Sequence, residues 1–314
     1  MRYVILNSDD FGYSDAVNRA VILANQAGTL TSASLMVAEP GYGQAVEMAL
    51  ANPGLGVGLH VTVTHDRALL PDSVKEGLAG ADGRFGADPF KVGLRYAFSR
   101  SISAPLYREM ESQFLLFAKS GLTWSHADGH QHFHLHPQVW RHFIDLCDLH
   151  GVTRLRLPHE DILAHMRSSG DRSIVNVAGL LAFRALRRKA IRELEARSRK
   201  SGVSYFYCDR VYGMLQTGNM NSNYLQALIP RIPQKVKLNG TCEIYFHPAS
   251  PHARPLPGAE SVSNAATSPG YPQIADVELQ ALLQPGFAQN LKAAGICTGT
   301  YAEVESMSSA HYAG

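Results

Sequence analysis

The sequence predicts an α/β fold in which about seven or eight parallel strands form a barrel-like sheet. Two observations favour this fold. Short apolar runs of strand length alternate with amphipathic helical segments, and acidic or histidine side chains recur where the predicted strands end. With 314 residues, of which 45% are hydrophobic, the chain can fill one barrel-sized core, and we expect a single domain over residues 1–302.

The first third of the chain follows this alternation closely. Residues 2–6 form a strand-like run, and Ser14 can cap a helix over residues 15–27 that ends at Gly28. A strand, a helix and a third strand follow, over residues 30–38, 43–51 and 56–63. Parallel strands need such crossovers, so this order favours a parallel sheet.

The later elements follow the same rules. Helices are predicted over residues 107–120, from Pro137 to just before Gly151, and over residues 178–200, 223–230, 276–283 and 287–294. Strands are predicted over residues 123–125, 152–157, 205–211, 241–246 and 297–301. Two segments are rich in turn-forming residues and are predicted to be excursions, of the kind that shape substrate pockets: residues 64–105 and 249–275. We predict a frayed tail over residues 303–314.

Charge and cysteine content exclude several classes of protein. The net charge of +2 gives no general signal for nucleic-acid binding. The four cysteines are scattered without a C-x-x-C pair, which argues against a disulfide framework or a thiolate metal site and favours a reducing, cytosolic setting. The sequence predicts neither a secretion signal nor a membrane-spanning helix.

Two adjacent carboxylates, Asp9 and Asp10, lie at the end of the first predicted strand. Buried like charges are costly unless a cation lies beside them, so a divalent metal is a natural partner. Because neighbouring strand residues point to opposite faces, both can reach one site only if the strand breaks, and Phe11-Gly12 is the predicted break. The alternative is a simple turn or helix cap.

Histidines at two other strand ends supply nitrogen ligands. A carboxylate with two imidazoles is a familiar open site for a divalent metal, and Asp10, His60 and His130 fit it. Residues 126–136 contain five histidines, which in extended chain are too far apart to bind one ion together. We choose His130 because it follows Gly129 at the predicted turn. Each histidine has a structural alternative, namely a satisfied strand-end histidine or a solvated turn.

The remaining candidates have catalytic or supporting roles. Asp9 can take a proton as general base, because the metal-bound carboxylate is a poor base, and His247 can protonate the leaving group. Asp128, Arg156 and His126 are candidates for orienting these groups or contacting substrate. Together they describe hydrolysis of an amide or ester, although His247-Pro248 can also be only a structural turn.

Four ordered blocks resemble those of the YdjC-like carbohydrate deacetylases. The blocks are Asp9-Asp10-Phe11-Gly12, Gly58-Leu59-His60, residues 126–134 and His247-Pro248. The resemblance implies a distorted TIM-like (β/α) barrel, Asp9 as base, a divalent cation on Asp10, His60 and His130, and removal of acetyl from an N-acetylated sugar. The family implies Mg²⁺, whereas mixed oxygen and nitrogen ligands also suit Zn²⁺, Co²⁺ or Mn²⁺.

Three further segments look most similar to the HpnK branch of this family, which is associated with hopanoid biosynthesis. They are residues 31–37, 243–248 and 269–271. The implied substrate is an N-acetylglucosaminyl hopanoid, and the alternative is a chitooligosaccharide. Two other classes stay open: an iron(II) oxygenase with two histidines and one carboxylate, and a metal-dependent sugar-binding protein without catalysis. A homodimer is compatible with the sequence.

The predicted helix at residues 178–200 is strongly basic. It carries Arg184, Arg187, Arg188, Lys189, Arg192, Arg197, Arg199 and Lys200 against only Glu193 and Glu195. It is either an ordinary outer helix or a surface that contacts anionic lipid headgroups. With the reducing setting that the cysteines favour, we expect a cytoplasmic protein, and the second interpretation of this helix adds peripheral contact with the inner face of the membrane.

Overall fold

The computed structural model of the protein describes residues 1–169, 174–250 and 271–309, with all of their side chains except those of residues 174–180 and 271–275. In this part of the chain seven strands form one sheet, and each strand pair is parallel. The strands are β1 (Arg2–Phe11), β2 (Ser32–Leu35), β3 (Gly56–Val61), β4 (Ala127–Gly129), β5 (Arg210–Tyr212), β6 (Thr241–Phe246) and β7 (Ile296–Thr298).

The sheet curls round on itself. Its strand order is β4-β3-β2-β1-β6-β5, and β7 pairs with the first residues of β1. Two isolated parallel bridges continue it from β4 toward β5, because Ala127 pairs with Leu155 and Arg154 pairs with Phe206. The segment around Leu155 therefore occupies the gap between β4 and β5. The result is a distorted barrel whose strands all run in one direction.

Helices cover the outside of this sheet and connect its strands. Those before β4 are α1 (Asp15–Gln26), α2 (Tyr42–Leu50), α3 (Asp72–Lys75), α4 (Pro89–Phe98) and α5 (Ser103–Lys119). Those after β4 are α6 (Pro137–Leu149), α7 (Ile162–Ser169), α8 (Ile174–Ser201), α9 (Ser222–Leu228), α10 (Ile232–Lys235), α11 (Tyr271–Leu282), α12 (Phe287–Ala293) and α13 (Tyr301–Ser309). The predicted distorted TIM-like (β/α) barrel is confirmed. None of the described helices is both long and apolar enough to cross a bilayer.

The last helix corrects the prediction of a frayed tail. Residues 303–309 of the predicted tail 303–314 lie in α13, which packs against β1, and residues 310–314 lie outside the described residues. Tyr301 and Val304 bury their side chains in a small cluster with Ile5, whereas Leu6 on the other face of β1 belongs to the large core under the outer helices. Side chains alternate between the two faces of a strand. Helix α13 therefore packs on the face of β1 that carries Ile5, opposite the face that carries Leu6.

The first predicted excursion is also more ordered than its composition suggests. The segment at residues 64–105 contains α3, α4 and the start of α5. Glu109 of α5 holds that segment, because its buried carboxylate accepts hydrogen bonds from the backbone of Leu69 and Leu70 and from the hydroxyl of Ser73. Of the second excursion, residues 251–270 lie outside the described residues, and α11 begins directly after them.

Two strands lie later in the chain than predicted. The strand predicted at residues 123–125 is β4 (Ala127–Gly129), which pairs with the end of β3. Of the strand predicted at residues 205–211, only the last residues pair regularly, within β5. Phe206 makes an isolated bridge. Apolar runs identified the regions, but the partner strand decides which residues pair.

Candidate metal-binding active site

The polar residues predicted at strand ends meet at one end of the barrel. Asp9 and Asp10 come from β1, His60 from β3 and Asp128 from β4, and His130 follows β4 directly. Because the carboxyl ends of parallel strands share one rim, residues distant in sequence are brought together there. His247 follows β6, and Arg156 lies in the segment that continues the sheet beyond β4.

An irregularity within β1 lets both of its carboxylates reach the site. The pairing of β1 with β2 shifts register between Ser8 and Phe11, and Asp10 has a left-handed backbone with φ of 62°. The break therefore falls at Asp10 itself, one residue before the predicted Phe11-Gly12. Gly12 is still required, because its φ is 92° and an added Cβ would lie 2.6 Å from the carbonyl oxygen of Met36.

Three side chains form a compact cluster of metal-type ligands. One ligand atom each of Asp10, His60 and His130 lies within 4.8 Å of the other two. Oδ1 of Asp10 is 3.5 Å from Nε2 of His60 and 3.1 Å from Nδ1 of His130. Zinc bound at about 2.0–2.1 Å in tetrahedral geometry gives ligand separations of roughly 3.3 Å. The donor set and its spacing therefore fit a divalent cation.

The electrostatics of the cluster also favour a cation. Burial by itself would lower the pKa of His130, but the carboxylates of Asp10, Asp66 and Asp9 raise this pKa to about 9. Burial would raise the pKa of Asp10, yet His130, His247 and His60 lower it. These shifts show that the buried carboxylates create a negative potential at the imidazoles, which a bound cation would neutralise.

Asp128 orients His60. Its Oδ1 lies 2.7 Å from Nδ1 of His60, and its Oδ2 accepts a hydrogen bond from the hydroxyl of Ser34 at 2.9 Å. Burial opposes ionisation of Asp128, but Arg156 and His60 hold its pKa well below the usual range. A carboxylate behind a metal-binding imidazole fixes its tautomer, so Nε2 of His60 is left facing Asp10.

Arg156 joins three buried carboxylates. Its guanidinium contacts Asp9, Asp128 and Glu243 at 2.6–2.8 Å and lies over the ring of Tyr245. Its side chain is fully buried, so these contacts compensate the cost of burying its charge. Arg156 therefore supports the site from inside the barrel and is not accessible to a substrate.

A second group of possible ligands is less suited to a cation. Asp9, His60 and Asp128 also have ligand atoms within 4.8 Å of one another. The guanidinium of Arg156, however, already pairs with both carboxylates, and Nδ1 of His60 is already in hydrogen-bond contact with Asp128. A divalent cation there would lie against a fixed positive charge. The cluster around Asp10 is the better site.

His247 lies beside Asp9 at the edge of the site. Its Nε2 is 3.9 Å from Oδ2 of Asp9, and its side chain is 14% exposed, so it is accessible to a bound molecule. Glu278 of α11 accepts a hydrogen bond from the backbone N–H of His247. The base and acid candidates therefore lie next to each other, close to the Asp10 cluster.

Two other histidines near β4, His126 before it and His132 after it, have separate partners. His126 is buried and stacks on Tyr301, and its Nε2 is 3.0 Å from the hydroxyl of Ser34. Nε2 of His132 is 3.0 Å from the hydroxyl of Tyr245. The chain makes a tight turn after His130, with left-handed backbone at His132 and the residue before it, which directs the side chain of His132 toward Tyr245 and not toward the Asp10 cluster. His126 therefore lies behind the site rather than against a substrate.

Sequence reasoning missed three residues of the site: Asp66, Glu243 and Tyr245. The signal for two of them was present, because Glu243 and Tyr245 lie four and two residues before His247 on the same face of a strand. Asp66 lies in the first excursion, and Oδ2 of its carboxylate is 3.2 Å from Nε2 of His130. No periodic pattern connects Asp66 to the histidine.

The fold and this cluster define a parallel α/β barrel with a carboxylate and two imidazoles at the carboxyl ends of its strands. The chain belongs to the YdjC-like protein family, whose profile matches residues 3–293. A solved structure of a protein described as a cellobiose-phosphate cleavage protein from Enterococcus faecalis V583 superposes with a TM-score of 0.67 at 20% identity. It covers 96% of this chain and 98% of that one, which shows a shared fold.

Curated relatives resemble part of the chain more closely. The chain is 36% identical to a carbohydrate deacetylase of Brevibacillus brevis over 149 residues, 48% of this chain and 57% of that protein. It is 38% identical to a carbohydrate deacetylase of Geobacillus stearothermophilus over 159 residues, 50% of this chain and 58% of that protein. The matched part thus spans a little over half the length of these relatives.

Proposed function

We propose that the protein is a metal-dependent hydrolase that removes the acetyl group from an N-acetylated sugar. The observation that carries this proposal is the cluster of Asp10, His60 and His130 beside Asp9 and His247. The name of the curated relatives, carbohydrate deacetylase, supports the same chemistry. A divalent cation bound there would polarise the acetyl carbonyl and increase the acidity of water.

The protein's own residues then have defined tasks. Asp9 accepts a proton from the attacking water, and Arg156 holds its carboxylate in one orientation. His247 donates a proton from Nε2 to the amine nitrogen as the C–N bond breaks. The products are acetate and a free amino sugar. Asp128 acts indirectly, because it fixes the tautomer and direction of His60.

The two other classes make different predictions. An iron(II) oxygenase has a close His-x-Asp pair on a double-stranded β-helix. Here His126 and Asp128 have that spacing, but His126 is directed to Ser34 and Tyr301 and takes no part in the cluster. A sugar-binding protein without catalysis would need no base beside the cation, whereas Asp9 is held there by Arg156.

We infer further that the sugar is linked to a lipid, as in an N-acetylglucosaminyl hopanoid, rather than to a chitooligosaccharide. An apolar groove of about 280 Å³ between α4 and α8 is lined in part by Gln131, the residue that follows His130 in the chain. Phe90, Leu94 and Phe98 form one exposed stripe along α4, with relative exposures of 73%, 44% and 82%. Such an apolar surface, which includes the residue that follows His130, suits a hydrophobic aglycone.

The basic helix α8 supports contact with an anionic membrane. Arg188, Lys189 and Arg192 are exposed, and α8 lines the same groove as α4. Arg187 is not available, because its guanidinium donates to the carbonyls of Leu157 and Cys208. Arg184 donates to the carbonyl of Glu160 and Arg197 pairs with Asp145 and Asp148. Each exposed cation near an anionic surface contributes roughly 1 kcal/mol.

Acetate release tests the activity and the substrate together. The protein should release acetate from N-acetylglucosaminides, lose this activity with a chelator and recover it with one of Mg²⁺, Zn²⁺, Co²⁺ or Mn²⁺. A higher kcat/KM on N-acetylglucosaminyl lipids than on oligomers is expected from the groove. Substrate binding without acetate would indicate the sugar-binding class, and an iron(II) spectrum with oxygen consumption would indicate an oxygenase.

Vesicle sedimentation tests the membrane contact separately. Binding to anionic but not neutral vesicles at low salt is expected, with a loss after charge reversal at Arg188 and Arg192. Charge reversal at Lys237, an exposed lysine that precedes β6 at the opposite end of the barrel, is the matched control. If the wild-type protein does not sediment with anionic vesicles at low salt, α8 is an ordinary outer helix.

A further inference from the structure

Asp66 lies on the side of His130 that faces away from Asp10. Its Oδ2 is 3.2 Å from Nε2 of His130, whereas Nδ1 of the same ring is 3.1 Å from Oδ1 of Asp10. Asp66 is buried, with 2% of its surface exposed, although it belongs to the excursion after β3. The imidazole of His130 is therefore held between two carboxylates, one at each ring nitrogen.

The same arrangement occurs at the other imidazole of the cluster. His60 has Asp10 near its Nε2 and Asp128 at 2.7 Å from its Nδ1. A histidine that binds a metal generally gives its second ring N–H to a carboxylate or carbonyl, which fixes the tautomer and the ring direction. The two histidines thus use opposite nitrogens toward Asp10 and each has its own carboxylate behind it.

We propose that Asp66 is a positioning residue that holds His130 as the Nε2–H tautomer, with Nδ1 directed at the cation site. This inference rests on the proposed metal site. The excursion at residues 64–105 then has a structural role, because it carries the carboxylate that positions one of the metal ligands. The excursion would be needed for metal binding itself, and not only for covering the substrate.

The excursion is built to hold Asp66 in place. The backbone N–H of Phe85 donates to the carbonyl of Asp66 at 2.9 Å, and Arg67 and Arg84 form an antiparallel bridge. NH1 of Arg84 lies 3.5 Å from Oδ1 of Asp66, and Nδ1 of His65 lies 3.2 Å from the same oxygen. Oδ1 thus has loop partners and Oδ2 faces His130.

A simpler reading is that Asp66 only ties the loop together through Arg84. The two readings separate experimentally, because the loop contact can be removed without touching the carboxylate. Asp66→Asn should weaken Zn²⁺ and Mg²⁺ binding by about 10–100-fold, the usual effect of losing a carboxylate behind a metal-binding histidine. Arg84→Gln should leave the dissociation constants within about twofold. Asp72→Asn, an exposed acid paired with Lys75 in the same excursion, is the matched control.

The dissociation constants are measured by competition with a chelating dye, and ¹⁵N-histidine NMR reports the tautomer of His130 with Zn²⁺ bound, the state in which the ring is not an imidazolium. We expect Nε2–H in the wild-type protein and in Arg84→Gln, and a mixture of tautomers in Asp66→Asn. Asp66→Glu, which keeps the carboxylate, should recover part of the affinity. Near-UV circular dichroism checks that each variant is folded.

The outcomes separate this inference from the proposed function. Unchanged metal affinity and tautomer in Asp66→Asn would overturn the positioning role while the deacetylase proposal stands. Equal losses in Arg84→Gln and Asp66→Asn would show that Asp66 acts only through the loop. If His130→Ala binds Zn²⁺ as tightly as the wild type does, the metal site and this inference both fail.

Discussion

Arg156 and Asp9 form a bidentate ion pair inside the barrel. NH1 of Arg156 lies 2.8 Å from Oδ2 of Asp9, and NH2 lies 2.7 Å from Oδ1. Asn7 adds a hydrogen bond to Oδ1 at 2.9 Å. A carboxylate held at both oxygens by a planar guanidinium has one orientation, so the base candidate is fixed before a substrate arrives.

Replacing Asp9 with Asn should preserve the metal and remove the base. We expect deacetylation to fall by about two to four orders of magnitude, because a positioned general base contributes that much. Metal content is measured on the same protein, and Asp72→Asn is a matched control on the surface. Near-normal activity in Asp9→Asn would show that another group accepts the proton.

Replacing His60 or His130 with Ala should remove metal and activity together, since each change deletes a ligand of the Asp10 cluster. The loss of affinity should exceed the roughly 10–100-fold typical of supporting residues. His132→Ala should bind metal normally, because Nε2 of His132 is directed to Tyr245. Metal loss in His132→Ala with retention in His130→Ala would mean that the wrong member of the histidine run was chosen.

Replacing His247 with Ala should affect poor leaving groups most. An amine needs a proton as the C–N bond breaks, whereas an activated ester does not, so amide hydrolysis should slow by about two to four orders of magnitude and ester hydrolysis much less. The comparison uses an N-acetyl sugar and an aryl acetate with one preparation. Equal slowing of both substrates would identify His247-Pro248 as a structural turn.

Glu160 should make stability depend on pH. Its buried carboxylate accepts a hydrogen bond from the backbone of Leu215, and burial raises its pKa from 4.5 to about 7. Folding therefore favours the protonated form. The resulting stability is fully present below pH 4.5 and is lost as the pH rises through 7, by at most about 3 kcal/mol.

The matching variant is Glu160→Gln, which cannot ionise. At each pH the melting temperature of the wild type is subtracted from that of the variant. This difference should increase between pH 4.5 and 7 and stay constant above 7. Glu195→Gln on the exposed side of α8 is the control and should follow the wild type. A constant difference across this range would show that folding does not raise the pKa of Glu160.

Much of the fold was predictable from the sequence because its signals are local. Strand-length apolar runs alternating with capped helices predict a parallel α/β barrel, and the order of residues at strand ends predicts a shared rim. Asp9, Asp10, His60 and His130 could be selected in this way. The tail was misjudged because α13 is stabilised by burial of Tyr301 and Val304, which composition does not reveal.

Only the tertiary structure decided which groups support those ligands. The register shift that turns Asp10 toward the site, the three carboxylates around Arg156 and the contact between Asp66 and His130 all join residues far apart in sequence. Periodicity reports how a segment meets the core, but it carries no information about which distant segment lies opposite. That choice follows from how the barrel closes, because closure sets the distances across its rim.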